Sequence, residues 1–299
     1  MAASELLVGV DLGGTKIAAG VFSTGRKLLT EIATAPTAAD HPPEVTLGNL
    51  ERVIREVLPK ATTPLAIGVG STGPVDAATG RFLETTSLPN LYFFDLASWV
   101  RARFDAPLYL ENDANCLALG EAVQGAGAGH ASVVAVTLGT GFGCGIVLDG
   151  AMYSGVTGNA GEVAFCPVAG ATYDEMLSGA GVRRFYERVR NAPTELSARE
   201  IGELGEAGDP SALEAWRYFG HAVGSALGTI AAVLDPSICV VGGSVAARLA
   251  LFRGALEERM RAILAPDAAR RIRVVEAQLG SAAGVIGAAE YAWYRFQKQ

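Results

Sequence analysis

The sequence predicts an α/β fold built from two related lobes, and three observations support that prediction. Short apolar runs of strand length alternate with longer stretches whose apolar residues recur at helical spacing. A hairpin pattern near the N-terminus recurs in the second half of the chain. The length of 299 residues exceeds one typical hydrophobic core and is enough for two.

The repeated pattern is an apolar run, a glycine turn and a second apolar run, which is typical of a β-hairpin. One copy spans residues 133–148 and the other spans residues 9–22. Backbone N–H groups and a threonine hydroxyl at such a turn suit an anion, although either copy alone is equally consistent with an ordinary hairpin. The pair favours two lobes that grip the phosphates of a nucleotide. A gap-free alignment pairs Asp11 with Thr137, Gly13 with Gly139, and Val21 with Val147.

The composition argues against two classes of protein. The net charge is −7 and the basic residues are scattered, so the basic surface that nucleic-acid binding needs is missing from the sequence. Apolar runs stay shorter than a membrane span, and the N-terminus lacks the basic start and apolar core of a signal peptide. We therefore expect a cytoplasmic protein that contacts neither nucleic acid nor membrane.

The four cysteines are far apart along the chain, at positions 116, 144, 166 and 239. The sequence therefore has no Cys-x-Cys or Cys-x-x-Cys pair of the kind that zinc sites use. We expect reduced thiols that are packed in the interior.

Turn residues divide the chain into predicted strands and helices. The predicted strands cover residues 6–10, 16–22, 28–34, 65–70, 107–110, 133–138, 142–148, 151–154, 238–241 and 273–276. The predicted helices cover residues 45–58, 96–104, 114–123, 177–190, 211–234, the stretch after 244 as far as 264, and 282–296. Loops are expected at 71–76, which opens at the carboxyl end of a strand where α/β sheets bind ligands, and at 155–162.

These elements suggest a division of the chain between the two lobes. We assign residues 1–114 to an N-terminal α/β lobe and residues 115–283 to a C-terminal α/β lobe. The last helix, about 284–299, is expected to pack back on the N-terminal lobe.

Five short motifs follow one another along the chain: Asp11-Leu-Gly-Gly-Thr-Lys16, Glu111-Asn-Asp-Ala-Asn115, Leu138-Gly-Thr-Gly141, Gly158-Asn-Ala-Gly-Glu162 and Val241-Gly-Gly-Ser244. In this order they resemble the ROK family of sugar kinases and related regulators, within the actin/hexokinase/Hsp70 fold group. The resemblance covers about residues 6–289 and is weak over 185–235 and 246–272. It implies a two-lobed actin-like ATPase (ribonuclease H-like) fold with the active site in the inter-lobe cleft.

Asp113 is the candidate catalytic base. It follows a strand, where a carboxylate can reach a sugar hydroxyl that faces the γ-phosphate of ATP, and the resemblance gives this residue the same role. The alternative is that Asp113 is the N-cap of the helix at 114–123, and the two roles are compatible. Asp11 is expected to hold Mg²⁺ through water, or else to stabilise its own turn.

The resemblance implies a nucleotide site made of glycine turns and hydroxyl groups. The phosphates are expected to contact both hairpins and the glycine turn that follows the strand at 238–241. For Lys16, contact with phosphate and simple solvation are both open. The candidate nucleotide-binding residues are Gly13, Gly14, Thr15, Lys16, Thr140, Gly141, Gly242, Gly243 and Ser244.

The candidate sugar-binding residues carry groups that bond to hydroxyls. Asn112 offers both donors and an acceptor, and Glu162 offers a loop carboxylate; both are also consistent with ordinary turn residues. The resemblance places a further sugar-binding carboxylate five residues before Gly179, which gives Asp174, or Glu175 after a slip of one residue. The complete set is Asn112, Glu162, Asp174, Gly73 and Thr86.

The sequence departs from the family pattern in its zinc motif. Many members have a histidine that touches the sugar and binds a structural zinc, and here Phe165 takes its place. The cysteine cluster of the family is missing, with only Cys166 nearby. We therefore expect no structural zinc, and we expect Phe165 to anchor the loop at 163–178 by apolar packing.

The residues and the resemblance together predict ATP-dependent phosphorylation of a hexose hydroxyl, glucokinase-like, with Mg²⁺ as cofactor. The alternative is a sugar-binding regulator of the same family with little or no catalysis. The repressors of the family carry a DNA-binding domain before the kinase-like part, and the first strand lies too near Met1 for us to expect one. By the resemblance we expect a homodimer or homotetramer.

Overall fold

The computed structural model describes residues 5–85, 87–168 and 170–298. They form two compact units. The first comprises the chain as far as Gly125, the segment Ser154–Gly158 and the segment that begins at Ser281; the second comprises Ala126–Tyr153 and Asn159–Gly280. Each unit has a five-stranded mixed sheet and its own hydrophobic core. The boundaries predicted from the sequence, at 114/115 and 283/284, remain a prediction.

The sheet of the first unit has the strand order β3-β2-β1-β4-β7, in which β1–β2 and β2–β3 are antiparallel and β1–β4 and β4–β7 are parallel. Its strands are β1 (Leu6–Leu12), β2 (Lys16–Ser23), β3 (Ala33–Pro36), β4 (Ala66–Ser71) and β7 (Leu108–Asn112). A small hairpin consists of β5 (Val75–Asp76) and β6 (Arg81–Phe82). The helices are α1 (Pro43–Val57), α2 (Leu96–Phe104), α3 (Asp113–Gln124) and α10 (Ala283–Phe296).

A row of three glycines crosses the middle of this sheet. Gly20, Gly9 and Gly68 are paired with one another across β2, β1 and β4. A Cβ on Gly9 would overlap the carbonyl oxygen of Val285, and one on Gly68 would overlap that of Ala288. The glycines therefore let α10 lie with its backbone directly against the sheet, because no side chain separates them.

The second sheet repeats the same topology, with the order β10-β9-β8-β13-β14. Its strands are β8 (Val133–Leu138), β9 (Phe142–Leu148), β10 (Ala151–Met152), β13 (Ile238–Gly242) and β14 (Arg273–Glu276). A small hairpin consists of β11 (Pro167–Val168) and β12 (Ala171–Thr172). The helices are α4 (Tyr173–Met176), α5 (Gly179–Arg190), α6 (Ala198–Glu206), α7 (Pro210–Leu234), α8 (Leu249–Ile263) and α9 (Pro266–Arg271).

The longest helix, α7, begins as its sequence indicates. Pro210 is its first residue, and the carboxylate of Asp209 accepts the N–H of Ala212 at 2.7 Å. Its buried face, which includes Trp216 and Phe219, packs in the core of the second unit. In the part of the chain that the structure describes, no helix has both the length and the apolar character needed to cross a bilayer.

The two glycine-turn hairpins are present, but they are not identical. Val8 pairs with Val21 in the first, whereas the equivalent Val134 pairs with Ile146 in the second. The gap-free alignment placed Val21 on Val147 and is therefore wrong by one residue in the second strand. Side chains alternate between the two faces of a strand. The shift of one residue therefore places each side chain of the second strand on the opposite face from the one that the alignment implied.

Two of the differences from the sequence prediction concern β3 and α6. The strand predicted at 28–34 is wrong at its start, because β3 begins only at Ala33. The hydroxyl of Thr30 accepts the N–H of Val21 at 3.2 Å, so a side chain takes the place of a ladder bond there. Helix α6 was not predicted from the sequence, although Ser197 and Glu200 form a capping box at its start.

Candidate active site

The carboxyl ends of three parallel strands meet at one edge of the first sheet. Asp11 on β1 is paired with Gly70 on β4, and Gly70 is paired with Glu111 on β7. A Cβ on Gly70 would lie 3.8 Å from the Cα of Asp113. Side chains that follow β1, β4 and β7 are thereby collected at the edge where α/β sheets bind ligands.

Asp11 is a partly buried carboxylate at this edge. Its side chain lies against the start of α10, since a Cβ on Gly284 would be 2.9 Å from the Cγ of Asp11. Burial raises the pKa of Asp11 to about 6, with a further contribution from the charge of Asp113 and an opposing one from Lys16. The structure therefore brings two of the predicted site carboxylates close enough to interact.

Asn112, and not Asp113, is the N-cap of α3. The Oδ1 of Asn112 accepts the N–H groups of Ala114, at 2.8 Å, and Asn115, at 3.4 Å. The idea that Asp113 is the cap is therefore wrong, and Asp113 is the first residue of the helix. Its Oδ1 also accepts the N–H of Ala114, at 2.8 Å. Burial raises the pKa of Asp113, and the bond from Ala114 opposes that rise.

The capping role of Asn112 has a consequence for ligand binding. Because Oδ1 is engaged by the helix start, the group that Asn112 presents is its Nδ2, which is a donor. This nitrogen would be 2.9 Å from a Cβ on Gly73, so only a glycine lets the loop after β4 come so near. Gly73 and Asn112 are thus neighbours, whereas Thr86, also predicted to bind sugar, lies outside the described residues.

Glu111 is a buried residue that the sequence analysis did not assign a role. Only 4% of its surface is exposed. Its Oε1 accepts the N–H of Asn112 at 2.9 Å and the Nδ2 of Asn115 at 3.1 Å. Its Oε2 accepts the hydroxyl of Ser154 at 3.3 Å. A carboxylate in the Glu-Asn-Asp motif was visible in the sequence, but nothing in its spacing indicated these three donors.

Thr37 secures the tip of the hairpin β1–β2. Its hydroxyl donates to the carbonyl of Gly13 at 2.6 Å, and its N–H donates to the carbonyl of Thr15 at 3.0 Å. The tip itself is exposed at Thr15 and Lys16. Thr37 has no role predicted from the sequence, because its role depends on a contact 24 residues away in the chain.

Two other segments of the second unit contact the tip of the hairpin β8–β9. The N–H of Gly179, at the start of α5, donates to the carbonyl of Gly139 at 2.8 Å, and the N–H of Val245 donates to that of Leu138 at 2.9 Å. Gly243 has a φ of +91° and lies against the backbone of Leu138, where a Cβ does not fit. The tip, the Gly242–Ser244 turn and the start of α5 are therefore adjacent, and Thr140 at the tip is exposed.

Asp174 makes a contact that the sequence analysis did not predict. Its Oδ1 accepts the N–H of Phe142 at 2.8 Å and would be 2.7 Å from a Cβ on Gly141. One oxygen of this candidate sugar-binding group thus holds the hairpin tip. Glu175, the alternative, closes a capping box with Thr172 at the start of α4.

The loop that carries Glu162 has an exposed surface. Glu162 is itself exposed. Burial raises the pKa of Cys144 on β9 to about 12, and the charges of Cys239 and Glu162 contribute to that rise. Phe165 is 76% exposed, so the expectation that it anchors the loop by packing is wrong. The loop is held by backbone bonds instead, from Asp174 to the carbonyl of Ala164 at 2.8 Å and from Tyr173 to that of Cys166 at 3.2 Å.

The cysteines are free thiols, and three of the four are buried as expected. Cys166 is exposed, because the loop around it does not pack into the core. Among the residues that the structure describes, no group of three or more His, Cys, Asp and Glu side chains is arranged to hold a metal.

We expect the purified protein to contain no stoichiometric zinc, because the cysteine cluster and the histidine that complete a structural site are replaced. A zinc-selective chelator, added with Mg²⁺ in excess, should then leave the melting temperature and the activity unchanged. Metal analysis by mass spectrometry checks the stoichiometry directly. One tightly held zinc per chain would contradict the alignment of residues 162–179.

We expect Asp11→Asn to stabilise the metal-free protein much more at high pH than at low pH. A carboxyl whose folded pKa, about 6, lies above its ordinary value of 3.8 binds a proton more tightly in the folded state. Ionisation of this carboxyl therefore lowers the free energy of unfolding. The loss develops as the pH rises from about 4 to 6 and is complete above that range. The gain should be about 3 kcal/mol at pH 8 and should fall to about 0.5 kcal/mol near pH 4.

Urea unfolding in a chelator at pH 4 and pH 8 measures this difference. Asp95→Asn is the matched control, because the N–H of Ser98 lowers the pKa of Asp95 and its ionised form is favoured on folding. That control should show no gain at pH 8. A gain for Asp11→Asn that is the same at both pH values would contradict the origin assigned to it.

The same architecture is found in known proteins. A ROK hexokinase from Thermus thermophilus superposes with a TM-score of 0.82 at 29% identity, over 98% of this chain and 100% of its own. A ROK family glucokinase from Streptomyces griseus, solved with glucose and AMPPNP, gives a TM-score of 0.79 at 28% identity, over 96% and 99%. The prediction of an actin-like ATPase fold is thereby confirmed.

Sequence relatives and the family profile identify the chain more closely. The glucokinase of Thermotoga maritima is 28% identical over 95% of this chain and 96% of its own. The N-acetyl-D-glucosamine kinase of Photobacterium profundum is 31% identical over 94% and 97%. The profile of the ROK family matches residues 7–294, so the chain belongs to the ROK family.

Proposed function

We propose that this protein is an ATP-dependent sugar kinase that phosphorylates a hexose hydroxyl, with Asp113 as the general base. The relatives named as glucokinases, hexokinase and N-acetyl-D-glucosamine kinase support a sugar kinase. The observation that carries the assignment is the position of Asp113 at the carboxyl edge of the sheet, beside Asp11. A carboxylate whose pKa is raised by burial is a stronger base toward a hydroxyl proton than an exposed one.

The first unit supplies groups suited to the sugar and the metal. Asn112 presents its Nδ2 as a donor next to Gly73, which suits a sugar hydroxyl. Burial and the neighbouring charge of Asp113 disfavour the ionised form of Asp11. A bound Mg²⁺ would relieve that cost, so Asp11 suits this cation. When bound, Mg²⁺ neutralises phosphate charge during transfer. Gly13, Gly14, Thr15 and Lys16 are proposed to face phosphate.

The second unit supplies groups suited to the nucleotide. Thr140 and Gly141 lie at a hairpin tip next to the start of α5 and the turn formed by Gly242, Gly243 and Ser244. The hydroxyl of the exposed Thr140 and the positive end of the 12-residue helix α5 both favour phosphate. Glu162 and Asp174 remain predictions as sugar ligands.

The proposal is tested by measuring ADP release with Mg-ATP across a panel of sugars. The panel should include glucose, mannose, galactose, fructose, N-acetylglucosamine and N-acetylmannosamine, with a no-sugar control for background hydrolysis. Inorganic polyphosphate in place of ATP tests the phosphate donor. We expect sugar-dependent ADP release with at least one hexose. Sugar binding by calorimetry without turnover would overturn the kinase proposal in favour of a regulator.

We expect Thr140→Val to raise the KM for ATP by about 10-fold and to leave the KM for the sugar within about 2-fold. The change removes one hydroxyl from the exposed hairpin tip and keeps the β-branched shape, and a hydrogen bond to a charged group contributes about 1.5 kcal/mol or more. Initial rates with each substrate varied in turn separate the two constants. Equal weakening of both substrates would mean that the tip is structural.

A further inference from the structure

Glu111 is a buried carboxylate to which the proposed chemistry gives no part. A carboxylate removed from water is costly unless its oxygens accept hydrogen bonds. The three donors already described satisfy it, and they come from two separate places in the chain. Two of them, the Asn112 N–H and the Asn115 amide, belong to the first turn of α3, and the third is the hydroxyl of Ser154.

We propose that Glu111 is a positioning residue for Asp113. It fixes the point where β7 ends and α3 begins by holding Asn112 and Asn115 on one oxygen, and Asp113 lies between these two residues. With its other oxygen it holds Ser154, the first residue of the segment Ser154–Gly158. The proposal rests on the proposed function, in which Asp113 is the general base.

The neighbourhood of Asn115 supports a positional role. Asn115 is 1% exposed, and its Oδ1 has no hydrogen-bond partner among the residues that the structure describes. The bond from its Nδ2 to Glu111 is thus the side-chain bond that orients this amide. Behind the same turn, Cys116 packs against Gly70, whose Cβ would come within 2.9 Å of the thiol sulfur. The turn has little room to adjust if Glu111 releases it.

The three donors allow the hydrogen bonds of Glu111 to be tested separately from its charge. A glutamine at 111 can accept the two N–H donors on its carbonyl oxygen and donate its NH₂ group to the Ser154 hydroxyl, which accepts as readily as it donates. Glu111→Gln therefore keeps the three bonds and removes the charge. Glu111→Asp keeps the charge, but its side chain is one methylene shorter. It cannot keep the bonds to the first turn of α3 and the bond to Ser154 at the same time.

The test compares Glu111→Gln, Glu111→Asp and Glu111→Ala with the wild type, after turnover has been established with one sugar. We expect kcat of the Gln variant within about 3-fold of the wild type, and kcat of the Asp and Ala variants lower by about 10- to 100-fold, since small misplacements of reacting groups cost factors of this size. The KM for ATP should stay within about 2-fold. The matched control is Glu290→Ala, which removes another buried carboxylate, bonded to Gln124 and Arg26; it should lower the melting temperature but not kcat.

Hydrogen exchange at the amides of residues 112–115 gives a readout that needs no sugar. Exchange should be faster in the Asp variant and unchanged in the Gln variant. An inactive Gln variant with an active Asp variant would overturn the proposal, because Glu111 would then act by its charge. An Asp variant with wild-type kcat and exchange would overturn it as well, and this comparison stands even if the Ala variant does not fold. Failure of the wild type to turn over any sugar would count against the proposed function, while the exchange result would still decide the role of Glu111.

Discussion

Replacing Asp113 by asparagine is expected to lower kcat by about 10²-fold or more and to leave the affinity for the sugar within a few fold. Asparagine has the size of aspartate, but its amide cannot take up the proton of the attacking hydroxyl. Its Oδ1 can still accept the N–H of Ala114, the bond that Asp113 makes at 2.8 Å. The start of α3 should therefore survive, and the loss should lie in the chemical step.

Steady-state rates of ADP release give kcat, and titration calorimetry without ATP gives the sugar affinity. Asp95→Asn is the control, because Asp95 also lies at a helix start in the first unit, where it accepts the N–H of Ser98 at 2.9 Å. That variant should keep its activity. An Asp113→Asn enzyme that retained half the wild-type kcat would show that Asp113 is not the base. In the wild type, kcat/KM should fall at acid pH as Asp113 takes up a proton.

Replacing Gly287 by alanine is expected to lower the free energy of unfolding by about 3 kcal/mol, at the upper end of the usual cost of overpacking. A Cβ on this residue of α10 would overlap the carbonyl oxygen of Cys116 on α3. The clash is with backbone, so no side-chain rotation relieves it. Helix α10 is also seated on the glycines of β1 and β4, so it cannot move away without losing that packing.

Urea unfolding of the ligand-free protein measures the change. Gly48→Ala is the matched control, because Gly48 lies on an exposed face of α1 and no described atom comes within 4 Å of its added Cβ. Alanine there should stabilise the protein by about 0.5–1 kcal/mol through its helix propensity. Similar losses for both variants would show that the cost is one of glycine replacement in general and not of the contact between α3 and α10.

The sequence placed the candidate site residues in the right kind of local structure but did not reveal how they are supported. Asp11, Asn112 and Asp113 were found at strand ends because a strand followed by a turn has a local pattern. The bonds of Thr37 to the first hairpin tip and of Asp174 to the second join residues that are 24 and 32 positions apart. Such pairings depend on the packing of whole elements, and no local pattern encodes them.

The loop around Phe165 shows the limit of an argument from residue type. A phenylalanine is usually buried, yet here it is exposed, because backbone bonds and the hairpin β11–β12 already hold the loop. The same limit applies to Asp113, whose residue type suits an N-cap as well as a base. The geometry gives the cap to Asn112, one residue earlier, since its side chain accepts the two N–H groups of Ala114 and Asn115 in the first turn.

The sequence by itself determined the two α/β units, their glycine-turn hairpins and the family, because alternating periodicities and short ordered motifs are local properties of the chain. Only the tertiary structure decided which residues support the site. It paired Gly9, Gly20 and Gly68 in one row beneath α10, shortened the second hairpin turn by a residue relative to the first, and gathered three donors around Glu111. The physical reason is that close backbone approach and burial of a carboxylate are set by the packing of distant elements, which are brought together only when the chain folds.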